Sequence, residues 1–145
     1  MADTRIQLEV EDWVRRSWMP MQYGGRFSRE RLPLRSGGVF DFDAVSDNHL
    51  IVATISTSGS KTASGKHAVG KLLKLRSDML FLTLVNARQR IIVLTEQEMF
   101  VQCKKEAQGG RVPQEIEFAH APIPDQLRAR LSTARQKASR ESSGE

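Results

Sequence analysis

The sequence predicts an α/β protein, with a mixed central sheet flanked by helices. Three features of its 145 residues predict it: two apolar runs meeting at Asp47-Asn48, segments with helical spacing before and after them, and a near-continuous apolar run over residues 79–85. About four or five strands follow from the element count.

The paired runs read as a hairpin. Asp and Asn tolerate the backbone of a two-residue turn. Closing the turn at Asp47-Asn48 pairs Ser46 with His49, Asp43 with Val52, Asp41 with Thr54 and Val39 with Ser56. Side chains alternate along a strand, so Phe40, Phe42 and Ala44 share a buried face with Ile51, Ala53 and Ile55. The other face carries Asp41, Asp43, Val52, Thr54, Ser56 and Ser58. Two carboxylates then point the same way from a largely apolar strand. That is costly unless water, a cation or a metal compensates them.

The remaining elements follow in order. Residues 4–18 place Ile6, Val10, Trp13 and Val14 at helical spacing, with Asp3 as N-cap and Pro20 as the stop. Glu9 falls beside that stripe, whereas Glu11 and Asp12 fall on the solvated side. Residues 26–34 read as an irregular strand with Phe27, Leu32 and Leu34 inside, and Pro33 marks an edge or a bulge. After the loop at residues 59–67, a helix carries Val69, Leu72 and Leu73 on one side and His67, Lys71 and Lys74 on another. Residues 79–85 and 91–94 read as strands. Thr95-Glu-Gln-Glu98 has the form of a capping box, opening a helix that buries Met99, Phe100 and Cys103 and ends at Gly109-Gly110. A short edge strand with Ile116 and Phe118 precedes a last helix with Leu127, Leu131 and Ala134 inside. One domain is expected over residues 1–135, with a flexible polar tail over 136–145.

Composition narrows the function. No apolar run reaches membrane-span length, there is no signal-peptide core, and Cys103 stands alone, so a cytoplasmic protein without membrane or disulfide is expected. The net charge of +5 and sequence pI of about 9.8 come from residues after position 60. That asymmetry favours a polyanionic partner. Residues 59–67 imitate a phosphate-binding P-loop but fail it. Five residues separate Gly59 from Gly65, and His67 stands where Ser or Thr would meet magnesium. A bare phosphate at the following helix N-terminus, met by Lys61 and Lys66, is still possible physically. Cys103 lies on the apolar side of its helix, and His49, His67 and His120 have no metal spacing.

The order helix, irregular strand, strand, strand, helix, strand over roughly residues 5–94 resembles the core of the PD-(D/E)XK, or restriction endonuclease-like, superfamily. The resemblance implies an aspartate on the second strand and a (D/E)-x-K on the third. Together these hold magnesium or manganese and orient water for phosphodiester cleavage. Asp43 or Asp41 matches the aspartate. Thr54-Ile55-Ser56 falls closest to the (D/E)-x-K, with Ser56-Thr57-Ser58 as the alternative, and neither contains a carboxylate or a lysine. The resemblance further implies a lysine from the next helix (Lys66, Lys71 or Lys74) and a glutamate from the first, Glu9. The expected catalytic set is Asp43, Lys66 and Glu9, with Asp41 and Asp43 as metal ligands. Lys61, Lys66, His67, Lys71 and Lys74 are expected to meet nucleic acid. The expected function is a nucleic-acid-associated protein with weak or no nuclease activity. The alternatives are a protein-interaction module without ligand and an active magnesium-dependent DNA nuclease.

Overall fold

The computed structural model describes residues 5–59 and 69–142. Among them, β1 (Phe27–Pro33), β2 (Val39–Ser46), β3 (Ile51–Ser56), β4 (Gln89–Leu94) and β5 (Ile116–His120) form one five-stranded sheet in sequence order. β1–β2 and β2–β3 are antiparallel, and β3–β4 and β4–β5 are parallel. Parallel neighbours need a crossover. Helices α3 (Val69–Leu84) and α4 (Gln97–Gln108) lie within those two connections. Helices α1 (Arg5–Trp13) and α2 (Met19–Tyr23) precede the sheet, and α5 (Asp125–Ser142) follows it. The expected α/β architecture, a mixed sheet flanked by helices, is the one observed. No described helix is long and apolar enough to cross a membrane.

Each face of the sheet has its own core. Ile6, Val10, Val14, Trp18 and, from α5, Leu131 pack with Ala44, Ala53, Ile55, Ile91 and Val93. Leu75, Met79 and Leu82 of α3 pack with Met99 and Cys103 of α4 on Phe42, Val45, Val52, Ile92 and Leu94. Because the middle strands are covered on both faces, β3 and β4 read as apolar runs rather than as alternating ones.

Several local expectations are corrected. Residues 79–84 are helix, not strand: they complete α3, whose buried Leu75, Met79 and Leu82 recur at helical spacing while Leu80 faces solvent. The hairpin register moves by two. Ala44 faces Ala53 and Val45 faces Val52 across a four-residue connection, not a two-residue turn. Ser46 and Asn48 hold that connection. The Ser46 hydroxyl accepts from Ile51 N at 3.0 Å, Asn48 Oδ1 accepts from Leu50 N at 3.0 Å, and His49 takes the left-handed backbone at φ 61.

The capping box does not form. Glu96, not Thr95, is the N-cap of α4 and makes no side-chain cap bond, while the buried Thr95 hydroxyl donates to Glu96 Oε2 at 3.2 Å. Nor does Pro20 stop the first helix. The backbone widens to a π-helix over Val14–Trp18 and resumes as α2 with Pro20 in its first turn. A proline removes one helical N–H and crowds the carbonyl four residues back, and a π-turn just upstream accommodates both. At the other end, α5 continues past Gln136 to Ser142, into the stretch expected to be a tail.

The helical assignment of residues 79–84 has a direct test. A strand would put Leu80 and Leu82 on one face, whereas a helix turns them about 200° apart. Leu82 is fully buried and Leu80 is 55% exposed. Leu82→Ala should therefore cost about 2–5 kcal/mol in urea denaturation and Leu80→Ala no more than about 0.5 kcal/mol. Equal losses would contradict the helix.

Candidate functional site in the gap between β2 and β3

The site begins with a break in the ladder. Between Phe42 and Val45, β2 spends three steps where β1 spends two between Ser28 and Glu30. That is a bulge. It turns Phe42 and Val45 to the α3 side and Ala44 to the α1 side, and Asp43 is left where alternation fails. The β2–β3 ladder also stops at Ala44 and Ala53. Beyond it the Asp43 side chain replaces the backbone: Ile55 N donates to Asp43 Oδ2 at 2.8 Å. The Asp43 carbonyl is taken by Arg15 from the π-helical turn, whose Nε donates to it at 2.6 Å.

Charged groups gather around Asp43 from both layers. Burial pushes the Asp43 carboxyl above the ordinary carboxylate range, against the Ile55 N–H bond and the charges of Arg29, Lys74 and Arg15. Glu11 of α1 is also raised, first by burial and then by the Asp43 charge, and is opposed by Arg15, Arg29 and Lys74. Asp78 of α3 is raised by burial, while Lys74 favours its charged form through a hydrogen bond and through charge, and Asp43 adds a further rise. Lys74 Nζ donates to both Asp78 oxygens, at 3.0 and 3.2 Å. An open cleft of about 360 Å³ borders the cluster, lined by Leu8, Glu9, Glu11, Asp12, Arg15 and Arg29.

The residues named from the sequence are distributed unevenly around this cluster. Asp43 and Lys74 belong to it. Asp41 does not join Asp43 on a common open face: Arg31 of β1 grips it with two bonds, at 2.9 and 3.2 Å, and this pairing holds its carboxyl below the usual range. Glu9 is engaged by Arg130 of α5, at 2.6 and 3.0 Å. The glutamate coupled to Asp43 is Glu11, two residues further on. Lys71 lies partly buried on α3, and Lys61, Lys66 and His67 fall outside the described residues. Sequence reasoning missed Glu11, Arg15 and Asp78. The i,i+4 pairs Glu11–Arg15 and Lys74–Asp78 were available as signals. Cys103 is in the core, where burial and the Glu106 charge push its thiol up to about 11. A larger cleft, about 540 Å³, opens between α1 and α5 around Ile6 and Ala134, on the side where Arg130 holds Glu9.

For a divalent cation, the donors must be judged as they stand. Among the described residues, no group of three or more His, Cys, Asp and Glu side chains could hold a metal. Oxygen donors are nevertheless present: the second Asp43 oxygen, the Asp78 carboxylate and Thr54 Oγ1, which is buried with no hydrogen-bond partner among the described residues. Magnesium-type sites use one or two carboxylates with water completing the shell, so this donor set fits such an ion. Comparisons with protein-family models, curated proteins and solved structures find no match.

The raised Asp43 carboxyl makes a prediction with a definite sign. The folded chain holds that proton more tightly than the unfolded chain does. Asp43's contribution to stability is therefore full below its unfolded pKa and is lost as pH rises through the higher folded value. Asparagine keeps an oxygen for the Ile55 N–H and removes the charge. In chelator-treated buffer, Asp43→Asn should raise the melting temperature relative to wild type at pH 7. The gain should shrink as pH falls toward about 4. A gain independent of pH, or a loss at pH 7, would contradict burial as the dominant cause.

Proposed function

We propose that this chain is a nucleic-acid-associated protein built on a restriction endonuclease-like core, with weak or no phosphodiester cleavage. One observation carries the reading. Asp43 of the second strand stands where β2 and β3 part, and its charge is coupled to a glutamate of the first helix and a lysine of the helix after the third strand. The order α1, β1, β2, β3, α3, β4 agrees with that core.

The chain's own residues limit the chemistry. Residues 54–56 of β3 offer two hydroxyls around an isoleucine, with neither acid nor lysine. On this reading Asp43, Asp78 and Thr54 would hold magnesium or manganese, which when bound would supply charge stabilisation and a more acidic water. Phosphate contacts fall to exposed cations around the cluster. Arg29 is exposed at the cleft lining, Arg16 is 76% exposed, and the Lys74 side chain is 72% exposed. Such contacts hold a backbone without reading its sequence.

A second reading has an observation of its own. Leu73 and Leu80, seven residues apart on α3, are both 55% exposed. An apolar stripe of that kind suits a protein-interaction module.

Salt-dependent binding separates the two. Wild-type protein should bind unrelated DNA or RNA sequences with similar affinity and a steep salt dependence. Arg29→Ala and Lys74→Ala should each lower the slope of log K against log salt by about one unit. Failure to bind any nucleic acid at low salt would overturn this function and leave the interaction module.

A further inference from the structure

We infer that Asp78 of α3 supplies the second carboxylate of a hard divalent-cation site centred on Asp43, with the Thr54 hydroxyl as its neutral oxygen donor. The inference rests on the reading just given and deepens it, naming the acid that residues 54–56 lack.

The first observation is the hydroxyl. Thr54 is 3% exposed, and its Oγ1 has no hydrogen-bond partner among the described residues. A buried orphan hydroxyl is costly, and its presence calls for an unseen partner. Its direction follows from the strand. Val52, two residues earlier, belongs to the α3-side core, so Thr54 shares that side. Ala44 faces Ala53 at the end of the β2–β3 ladder, and just beyond it Asp43 Oδ2 accepts from Ile55 N, the residue after Thr54. The hydroxyl therefore lies between the Asp43 strand and α3.

The second observation is Asp78. It is 5% exposed on α3, between the buried Leu75 and Leu82 that pack on the sheet. A carboxylate in that position needs a countercharge. Its countercharge is Lys74, whose Nζ sits on both carboxylate oxygens while the rest of the side chain runs through solvent. The charge of Lys74 also acts on Asp43, and that of Asp43 on Asp78. One ammonium thus neutralises Asp78 directly and acts on Asp43 through its charge. An exposed lysine is held weakly and can swing into water when a stronger cation arrives. Magnesium and manganese accept one or two carboxylates and complete their shell with water. Two acids and a hydroxyl therefore suffice, and no third carboxylate is required. Asp41, occupied by Arg31, stays outside the site.

Thermal melts of the full chain with and without millimolar manganese chloride test the inference. Circular dichroism in chelator confirms that each variant is folded. Wild type should gain melting temperature in step with ln(1 + [L]/Kd). Asp78→Asn should lose the gain and Asp41→Asn should keep it. Lys74→Met, which removes the competing ammonium, should reach half its gain at a several-fold lower manganese concentration. The inference is overturned by no gain in wild type and Lys74→Met, or by a full gain in Asp78→Asn. Nucleic-acid binding is measured separately in chelator. If salt-dependent binding persists without a manganese gain, only the cation site falls. A manganese gain without any nucleic-acid binding keeps the site and removes the nucleic-acid function.

Discussion

The hydrogen bond from Ile55 N to Asp43 Oδ2 is the constraint on which the centre of this fold depends. β2 and β3 leave their ladder after Ala44 and Ala53, and β3 still has backbone donors to satisfy beyond that point. A side-chain oxygen satisfies one of them. The bulge in β2 makes this possible, because it frees one residue from either core and aims it into the gap. The carbonyl of the same residue is bonded by Arg15, which lies in the π-helical turn just before Pro20. A proline in α2, a wide turn, an arginine and a bulge on the second strand thus converge on one residue.

Charge compensation then distinguishes the carboxylates. Asp41 is 42% exposed as a side chain and paired with an exposed arginine, so solvent screens its ion pair and the pair adds little to stability. For Asp43, Glu11 and Asp78, burial is the dominant influence and raises each of them, even with Arg15, Arg29 and Lys74 nearby. A fold gains little from holding three such acids together in this way. Acids kept at a cost beside an open cleft are where function is sought first.

Much of this was legible in the sequence. The sheet, the hairpin and the flanking helices followed from period-2 and helical spacing, whereas the place of Asp43 at a bulge did not. Register did not, because the connection is closed by the Ser46 hydroxyl, Asn48 and a left-handed His49, none of which the pattern of apolar residues encodes. The run over residues 79–84 misled because α3 lies against the sheet, and a buried helix face that includes Leu82 and Met79 also reads as a short apolar run. Thr95 has the spacing of a cap, but its hydroxyl is used by its neighbour Glu96 instead. Glu9 and Glu11 flank the same buried stripe, and only the position of α5, with Arg130, decides which of the two is drawn away.

The absence of an acid and a lysine from residues 54–56 is a statement about one strand, not about the space beside it. A gap between two strands can be reached from the strands, from the helix above and from the helix below. On α3 the pair Lys74 and Asp78 lies one turn apart, so that acid and cation meet on the helix itself. From α1 into the π-helical turn the pair Glu11 and Arg15 has the same spacing, and Arg15 reaches the strand backbone. A spacing motif searched along β3 alone therefore misses groups that arrive four residues apart on two helices. The physical requirement is oxygen and charge at one point in space, and the bulge at Asp43 fixes where that point is.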